Sequence, residues 1–202
     1  MIGSISGSMV LGKLKGVDIR SMGSGNAGGT NAFRSIGPIF ALGVVFIDVL
    51  KGVIAVVCIS QIVFFNIINI PKDLVCILCG IGAVLGHVYP IYYNFKGGKG
   101  AGTLIGIIGA LFPESIIYAL VSWFVVLIIT GFVGLGTMVS GIVLVIYTCF
   151  YYPSGINSYF GYFSIIMALF IIFTHRSNIY RMMNGTENQF EKIMLLKRLF
   201  KK

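Results

Sequence analysis

"TLIGIIGALFPESIIYALVSWFVVLIIT", residues 103–130, can be one long apolar helix or two short ones broken at Pro113-Glu114, and that choice decides the topology. Charge decides it. Lys13, Lys15, Arg20 and Arg34 precede the second apolar run, and Lys96 and Lys99 follow the third. Arg176, Arg181, Lys192, Lys197, Arg198, Lys201 and Lys202 follow the last. The tendency of cations to stay on the cytoplasmic face groups these thirteen, leaving Lys72 outside and Lys51 inside a run. A single helix over 103–130 makes three crossings after Lys99 and strands the basic C-terminus outside. A break at Pro113-Glu114 makes four and returns it to the cytoplasm. The 103–112 piece reaches only about 15 Å at the helical rise, which suits a thinned or recessed part of the bilayer.

The same pattern extends outward in both directions. Apolar runs cover about 39–66, 74–93, 103–112, 115–130, 137–152 and 159–174, and a partial run precedes Lys13. With 57% hydrophobic and only 10% charged residues, the chain is too apolar for a soluble domain, where about a quarter of residues carry charge. The runs are continuous rather than alternating, which selects helices over barrel strands. The expected fold is all-α: a polytopic membrane protein of seven transmembrane segments, the first shortened, with a cytoplasmic C-terminus, formed by residues 1–202 as a single domain. No cleavable signal peptide is expected at "MIGSISGSMVLGKLKG", whose small residues suit a partial helix packed closely on its neighbours. The formal charge of +9 is better explained by membrane orientation than by nucleic acid. Cys58, Cys76, Cys79 and Cys149 lie in apolar runs and read as small buried hydrophobes. Asp48 and Lys51, three apart within a run, share a helical face and read as an internal ion pair.

Three polar segments fall on the cytoplasmic side of this topology: "SMGSGNAGGTNAFR" (21–34), "GHVYPIYYNFKGGKGAGT" (86–103) and "HRSNIYRMMNGTE" (175–187). Glycines let consecutive amides turn toward one anion, and a helix starting after "GGKG" would add its own N-terminal amides. On composition alone, "GGKG" is equally a flexible membrane-edge turn, and Arg34 equally a snorkelling interfacial cation. Together, the fork of Arg34 and the point charge of Lys99 suit a dianionic ligand. His175 and His87 each read as a phosphate donor, a proton carrier or a hydrogen-bonded interface residue. Two histidines without a carboxylate cluster do not make a zinc site, and no metal or cofactor is expected. A HxxxxD acyltransferase pair is missing, because Tyr92 and Tyr180 occupy the fifth positions after the histidines.

Taken in order, "GSGNAGGTN", "GHVYPIYYNFKGGKGAGT" and "HRSNIYRMMNGTE" resemble the three signature motifs of the bacterial acyl-phosphate:glycerol-3-phosphate acyltransferases, the PlsY family. "GKLKGVDIR", "DVLKG" and "FVGLGT" extend the likeness over nearly the whole chain. The resemblance implies a seven-helix enzyme of the bacterial inner membrane whose active site faces the cytoplasm. Its reaction would be acyl transfer from acyl phosphate to the 1-hydroxyl of sn-glycerol 3-phosphate, the first acylation of phospholipid synthesis. Carried over by motif, Ser24, Arg34, Lys99, His175 and Asn178 would hold glycerol 3-phosphate, with Ser24, Lys99 and His175 acting in catalysis. Thr137 stands where the family tends to have a serine. The backbone of Gly97, Gly98 and Gly100 would cradle the acyl phosphate, and Asn26, Thr30, Asn31 and His87 would form the site around them. Membrane lipid is the remaining partner, and a monomer is the working expectation.

Two departures stand out: Gly29 replaces the family's usual alanine, and the amino end is shorter than the family's first helix. The latter raises the expectation of a truncated start or of altered packing beneath the first motif. Two other classes compete. An anion transporter would use the same basic, glycine-rich face, but no internal pseudo-symmetry is visible in the sequence. A membrane scaffold would leave the polar motifs unused.

Overall fold

The computed structural model describes residues 1–65 and 70–194. Asn66, Lys197, Arg198, Lys201 and Lys202, which entered the reading of runs and charge, lie outside the described residues. Among the described residues there is no β-strand. They fall into two compact units, the first Met1–Pro113 and the second from Glu114 onward.

The first unit starts with a 3₁₀ turn, Ile2–Ser4, followed by α1 (Gly7–Lys15), a second 3₁₀ turn (Ile19–Ser21) and α2 (Gly29–Ser35). Next come α3 (Pro38–Ile54), a π-helical turn (Ala55–Ile59) and α4 (Ser60–Phe65), continuous as one helix of 28 residues. α5 (Lys72–Val88), a 3₁₀ turn (Ile91–Tyr93) and α6 (Ala101–Leu111) complete the unit. In the second unit are α7 (Ser115–Thr130), α8 (Val133–Tyr151), α9 (Tyr159–Thr174) and α10 (Arg176–Met183).

Glycine and proline set most of these ends. α1 stops at Gly16, whose φ of 69° reverses the chain while Val17 N donates to Gly12 O at 2.9 Å. α6 stops at Leu111, with Phe112 between it and Pro113, and α7 stops at Gly131, φ 73°. The 103–130 stretch is therefore two helices broken at Phe112–Glu114, as the charge argument requires. α8, in contrast, starts at Val133 and not at 137. Gly134 and Gly136 lie inside it, because closely approaching neighbours need glycine there: an added Cβ would stand 2.9 Å from Asn178 Nδ2 and 3.0 Å from Trp123 O, respectively.

Three described helices are long and apolar enough to cross a membrane: Pro38–Phe65, Lys72–Tyr93 and Val133–Tyr151. A fourth follows if α9 and α10, bent by 51°, count as one. α6 and α7 are shorter apolar helices. The outward faces of the long helices carry side chains that water would not tolerate in such number, including Ile39 (86% exposed), Phe65 (82%) and Phe150 (76%). Cys76 is buried, as expected, but Cys58 and Cys149 are exposed on those outer faces, where a small apolar side chain suits lipid as well as a core.

The short amino segment is held by small residues. A Cβ on Gly3 would stand 2.8 Å from Ala83 Cα, and one on Gly7 would stand 2.6 Å from Val44 O. Backbone therefore packs against backbone, as "GSISGS" suggests. Beneath the first motif, Ile19, Ala27, Ala32, Phe40, Ala41 and Val44 form a buried core flanked by Met9, Leu11, Met22 and Ile36.

Candidate active site

In the first motif the loop is wound around Asn31. Its side-chain nitrogen lies 3.0–3.1 Å from the carbonyls of Ile19, Met22 and Asn26, and its Oδ1 accepts from Ser24 N at 2.9 Å. Asn31 is 3% exposed, so its polarity is consumed in shaping the loop rather than offered to a ligand. Gly23 (φ 54°) and Gly25 (φ 72°) flank Ser24, turning it outward where it is exposed. An added Cβ on Gly23 would overlap Asn31 Oδ1. From below, Ser8 Oγ donates to Ala27 O at 2.8 Å and ties the loop to α1. Asn26 and Thr30 are half-buried beside it, as is Arg34 in the last turn of α2. At Gly29 an alanine Cβ would stand 2.7 Å from Val45 Cγ2, which accounts for glycine in this chain.

The second motif begins where α5 ends before Pro90. Asn94 (φ 55°) and Phe95 (φ 58°) reverse the chain and send the glycines back along the end of α5. Gly97 N donates to Val88 O and Gly98 N to His87 O, both at 3.2 Å. These two amides are thus engaged with α5, and the two glycines serve through their missing side chains: a Cβ on Gly97 would overlap His87 O, and one on Gly98 would overlap His87 Nε2. Gly100 (φ 92°) then turns the chain into α6, whose first-turn amides have no intrahelical acceptor and carry the positive end of the helix dipole. Lys99, between Gly98 and Gly100 in the chain, is half-buried. The first two motifs adjoin through Arg20, whose Nη1 donates to Tyr93 O at 3.1 Å while its fork grips Asp18 at 2.7–3.2 Å.

Beneath the second motif is a buried polar cluster. Lys51 Nζ contacts Asp48 Oδ1 at 3.0 Å, Ile5 O at 2.6 Å and His87 Nδ1 at 2.7 Å. Asp48 Oδ1 also accepts from Gly7 N at 3.2 Å, taking one of the orphan amides at the start of α1. Asp48 and Lys51 are each 3% exposed and His87 2%. The ion pair read from the sequence is therefore real, but it has a third member that the sequence analysis assigned elsewhere.

In the second unit, the third motif is organised by Glu187. Its Oε1 accepts from Asn178 Nδ2 at 2.9 Å and its Oε2 from Arg181 Nε at 2.6 Å. The backbone of Thr186 and Glu187 folds back onto Arg181 O. Asn178 is buried against Gly134 of α8, one turn before Thr137, whose hydroxyl donates to Val133 O at 3.0 Å. At the junction of α9 and α10, His175 Nδ1 lies 2.8 Å from Ile171 O. A carbonyl only accepts, so Nδ1 carries the proton and Nε2 is the basic atom of the neutral ring.

Each unit thus gathers its own share of the predicted residues: Ser24, Asn26, Thr30, Asn31, Arg34, His87, Gly97, Gly98, Lys99 and Gly100 in the first, Thr137, His175 and Asn178 in the second. Arg20, Ser8 and Glu187 were not singled out from sequence. For Glu187 a signal existed: it is the single acid of a basic motif, six residues after Arg181.

Comparison with known proteins adds an independent line. The family description glycerol-3-phosphate acyltransferase matches residues 1–185. The glycerol-3-phosphate acyltransferase of Bacillus subtilis (strain 168) is 39% identical over 188 residues, covering 93% of this chain and 91% of the relative. That of Halalkalibacterium halodurans is 40% identical over 195 residues, covering 94% and 90%. Among solved structures, the glycerol 3-phosphate form of PlsY (YgiH), an integral membrane glycerol 3-phosphate acyltransferase, superposes with a TM-score of 0.81 at 32% identity, covering 99% of this chain and 94% of the other. The lysophosphatidic acid form gives 0.79 at 32% identity, covering 94% and 90%.

Proposed function

Because this chain belongs to the glycerol-3-phosphate acyltransferase family, we propose that it transfers a fatty acyl group from acyl phosphate to the 1-hydroxyl of sn-glycerol 3-phosphate. Lysophosphatidate and inorganic phosphate are the products, and the step is the first acylation of phospholipid synthesis. Residues 1–202 act as one enzyme of the bacterial inner membrane, with seven membrane segments and both the C-terminus and the active site on the cytoplasmic side. The observation that carries the reading is the likeness over nearly the whole chain to a structure in its glycerol 3-phosphate form, together with three motifs present in order, with Gly29 the one departure named.

Ser24, Arg34, Lys99, Thr137, His175 and Asn178 are assigned to glycerol 3-phosphate. The Gly97–Gly100 loop is assigned to the acyl phosphate, with the first-turn amides of α6 at its end supplying donors. An acyl phosphate is a mixed anhydride and already activated, so neither a covalent enzyme intermediate nor a metal is required. The 1-hydroxyl oxygen bonds to the acyl carbonyl carbon, the bond from that carbon to the phosphate oxygen breaks, and phosphate leaves with the electron pair. Arg34 and Lys99 neutralise phosphate charge as the substrates meet. The hydroxyl proton passes to a substrate phosphate; His175 Nε2, basic in the tautomer its Ile171 contact fixes, is the alternative acceptor.

The boundary location follows from solubility. Each methylene of the acyl chain prefers hydrocarbon by about 0.8 kcal/mol, whereas glycerol 3-phosphate and the leaving phosphate belong to water. Purified protein given labelled glycerol 3-phosphate with acyl phosphate, acyl-CoA or an acyl carrier protein thioester tests the proposal. Labelled lysophosphatidate formed from acyl phosphate alone is expected; product from the thioesters alone overturns the assigned donor.

A further inference from the structure

The buried cluster of Asp48, Lys51 and His87 touches the second motif at one place, and the contact has a direction. An ammonium offers three N–H groups and no lone pair, and Lys51 directs its three to Asp48, Ile5 O and His87 Nδ1. His87 Nδ1 also lies 3.4 Å from Asp48 Oδ1, but the 2.7 Å approach to Lys51 is the shorter contact and decides the tautomer. Nδ1 accepts, so the ring proton is on Nε2. That Nε2 edge is where a Cβ on Gly98 would fall.

Gly98 is outside the left-handed region, so its own backbone would accept a side chain without strain. What forbids one is the imidazole. The cluster also lies close against the helix the loop leads into: a Cβ on Gly102 would stand 3.2 Å from Asp48 Cβ, and one on Gly52 would overlap Thr103 O. α3 and the start of α6 are therefore in backbone contact around Asp48. We infer that Asp48 and Lys51 are positioning residues that clamp His87 against Gly98 and so set the shape of the Gly97–Gly100 loop. The inference rests on the assignment of that loop to the acyl phosphate, and nothing in the ion cluster itself need touch substrate.

Two measurements on the full-length protein in detergent test it. The first is a double-mutant cycle. Gly98→Ala alone should lower turnover by about thirtyfold, yet in a His87→Asn background, which keeps an acceptor for Lys51 but removes the ring edge, adding Gly98→Ala should cost less than about threefold. Losses that multiply would overturn the clamp. The second is the isosteric Asp48→Asn, which keeps an acceptor for Gly7 N and removes the carboxylate charge that Lys51 pairs with. KM for acyl phosphate should rise about tenfold while KM for glycerol 3-phosphate stays within about twofold. Equal rises in both, or a fall in kcat alone, would mark a merely structural cluster and overturn the inference. Should Asp48→Asn fail to fold, the cycle decides alone, because it turns on steric room. If the wild-type protein ignored acyl phosphate, the functional reading would fall, and the cycle, run with whichever donor is used, would still read the His87–Gly98 contact.

Discussion

The polar motifs of the two units are held in opposite ways. In the first unit, Asp48, Lys51 and His87 draw together Ile5, Gly7, the middle of α3 and the end of α5, segments that run from the amino end to His87, and all three side chains are buried. In the second, one carboxylate closes a short loop, Glu187 reaching back nine residues to Asn178 and six to Arg181. Long-range burial makes the shape of a loop part of the stability of the whole unit. A local clasp makes it a separate, inexpensive ordering step. The same chemistry, a carboxylate holding a cation and a neutral polar group, should therefore fail globally in one unit and locally in the other.

Lys51→Met is the largest expected effect and the hardest test of that contrast. It leaves Asp48 buried without its cation, and removing one member of a buried pair costs about 3–5 kcal/mol. Thermal unfolding in detergent should show the loss directly; a change below about 1 kcal/mol would break the comparison. Glu187→Gln comes next. The amide can still accept from Asn178, but the charged contact to Arg181 is lost, at about 1–3 kcal/mol of local order. Turnover should drop about tenfold with the unfolding midpoint nearly unmoved, because the clasp opens without the unit. A midpoint shift as large as that of Lys51→Met would erase the distinction between the units.

How far the sequence reaches can be judged on the same residues. Apolar runs located every long helix, and α7 and α9 begin and end where the runs do, because a membrane helix must satisfy its own backbone and so follows its apolar side chains. Boundaries slipped where glycine is ambiguous. The run of about 137–152 leaves out Gly134 and Gly136, yet both lie inside α8, where they let Asn178 and Trp123 approach. The pair Asp48–Lys51 was legible from a spacing of three within one helix. Its third member was not, since His87 lies 36 residues beyond Lys51 and only packing brings them together. One physical hint was present: a buried lysine has three donors to satisfy, and a single carboxylate does not occupy them all. On composition the glycines of "GGKG" suit a phosphate loop and a flexible membrane-edge turn equally, whereas in the fold Gly97 and Gly98 spend their amides on α5 and contribute the space that a side chain would fill.

The smallest expected effect tests a third kind of anchoring, an exposed one, at the contact between the first two motifs. Asp18 accepts from Arg20 Nη2 at 2.7 Å and from Arg20 N at 2.9 Å, capping the Ile19–Ser21 turn, while Arg20 also reaches Tyr93 O. The side-chain bonds from Arg20 first, and its backbone bond second, hold the Asp18 carboxyl below its ordinary value of 3.8. A depressed folded-state pKa gives stability that is fully present above the ordinary value and is lost as pH falls through the lowered one. With the Asp18 side chain 45% exposed, solvent screening holds that contribution below about 1 kcal/mol. Melting from pH 6 down to pH 3 should therefore show a slight acid-side loss that Asp18→Asn removes, with no change near neutrality from titration of this group. If Asp18→Asn instead melted the protein at every pH as Lys51→Met is expected to, the bridge through Arg20 to Tyr93 would belong with the buried cluster. Stability of the first unit would then depend on how far apart in the chain its polar partners lie, more than on how deeply they are buried.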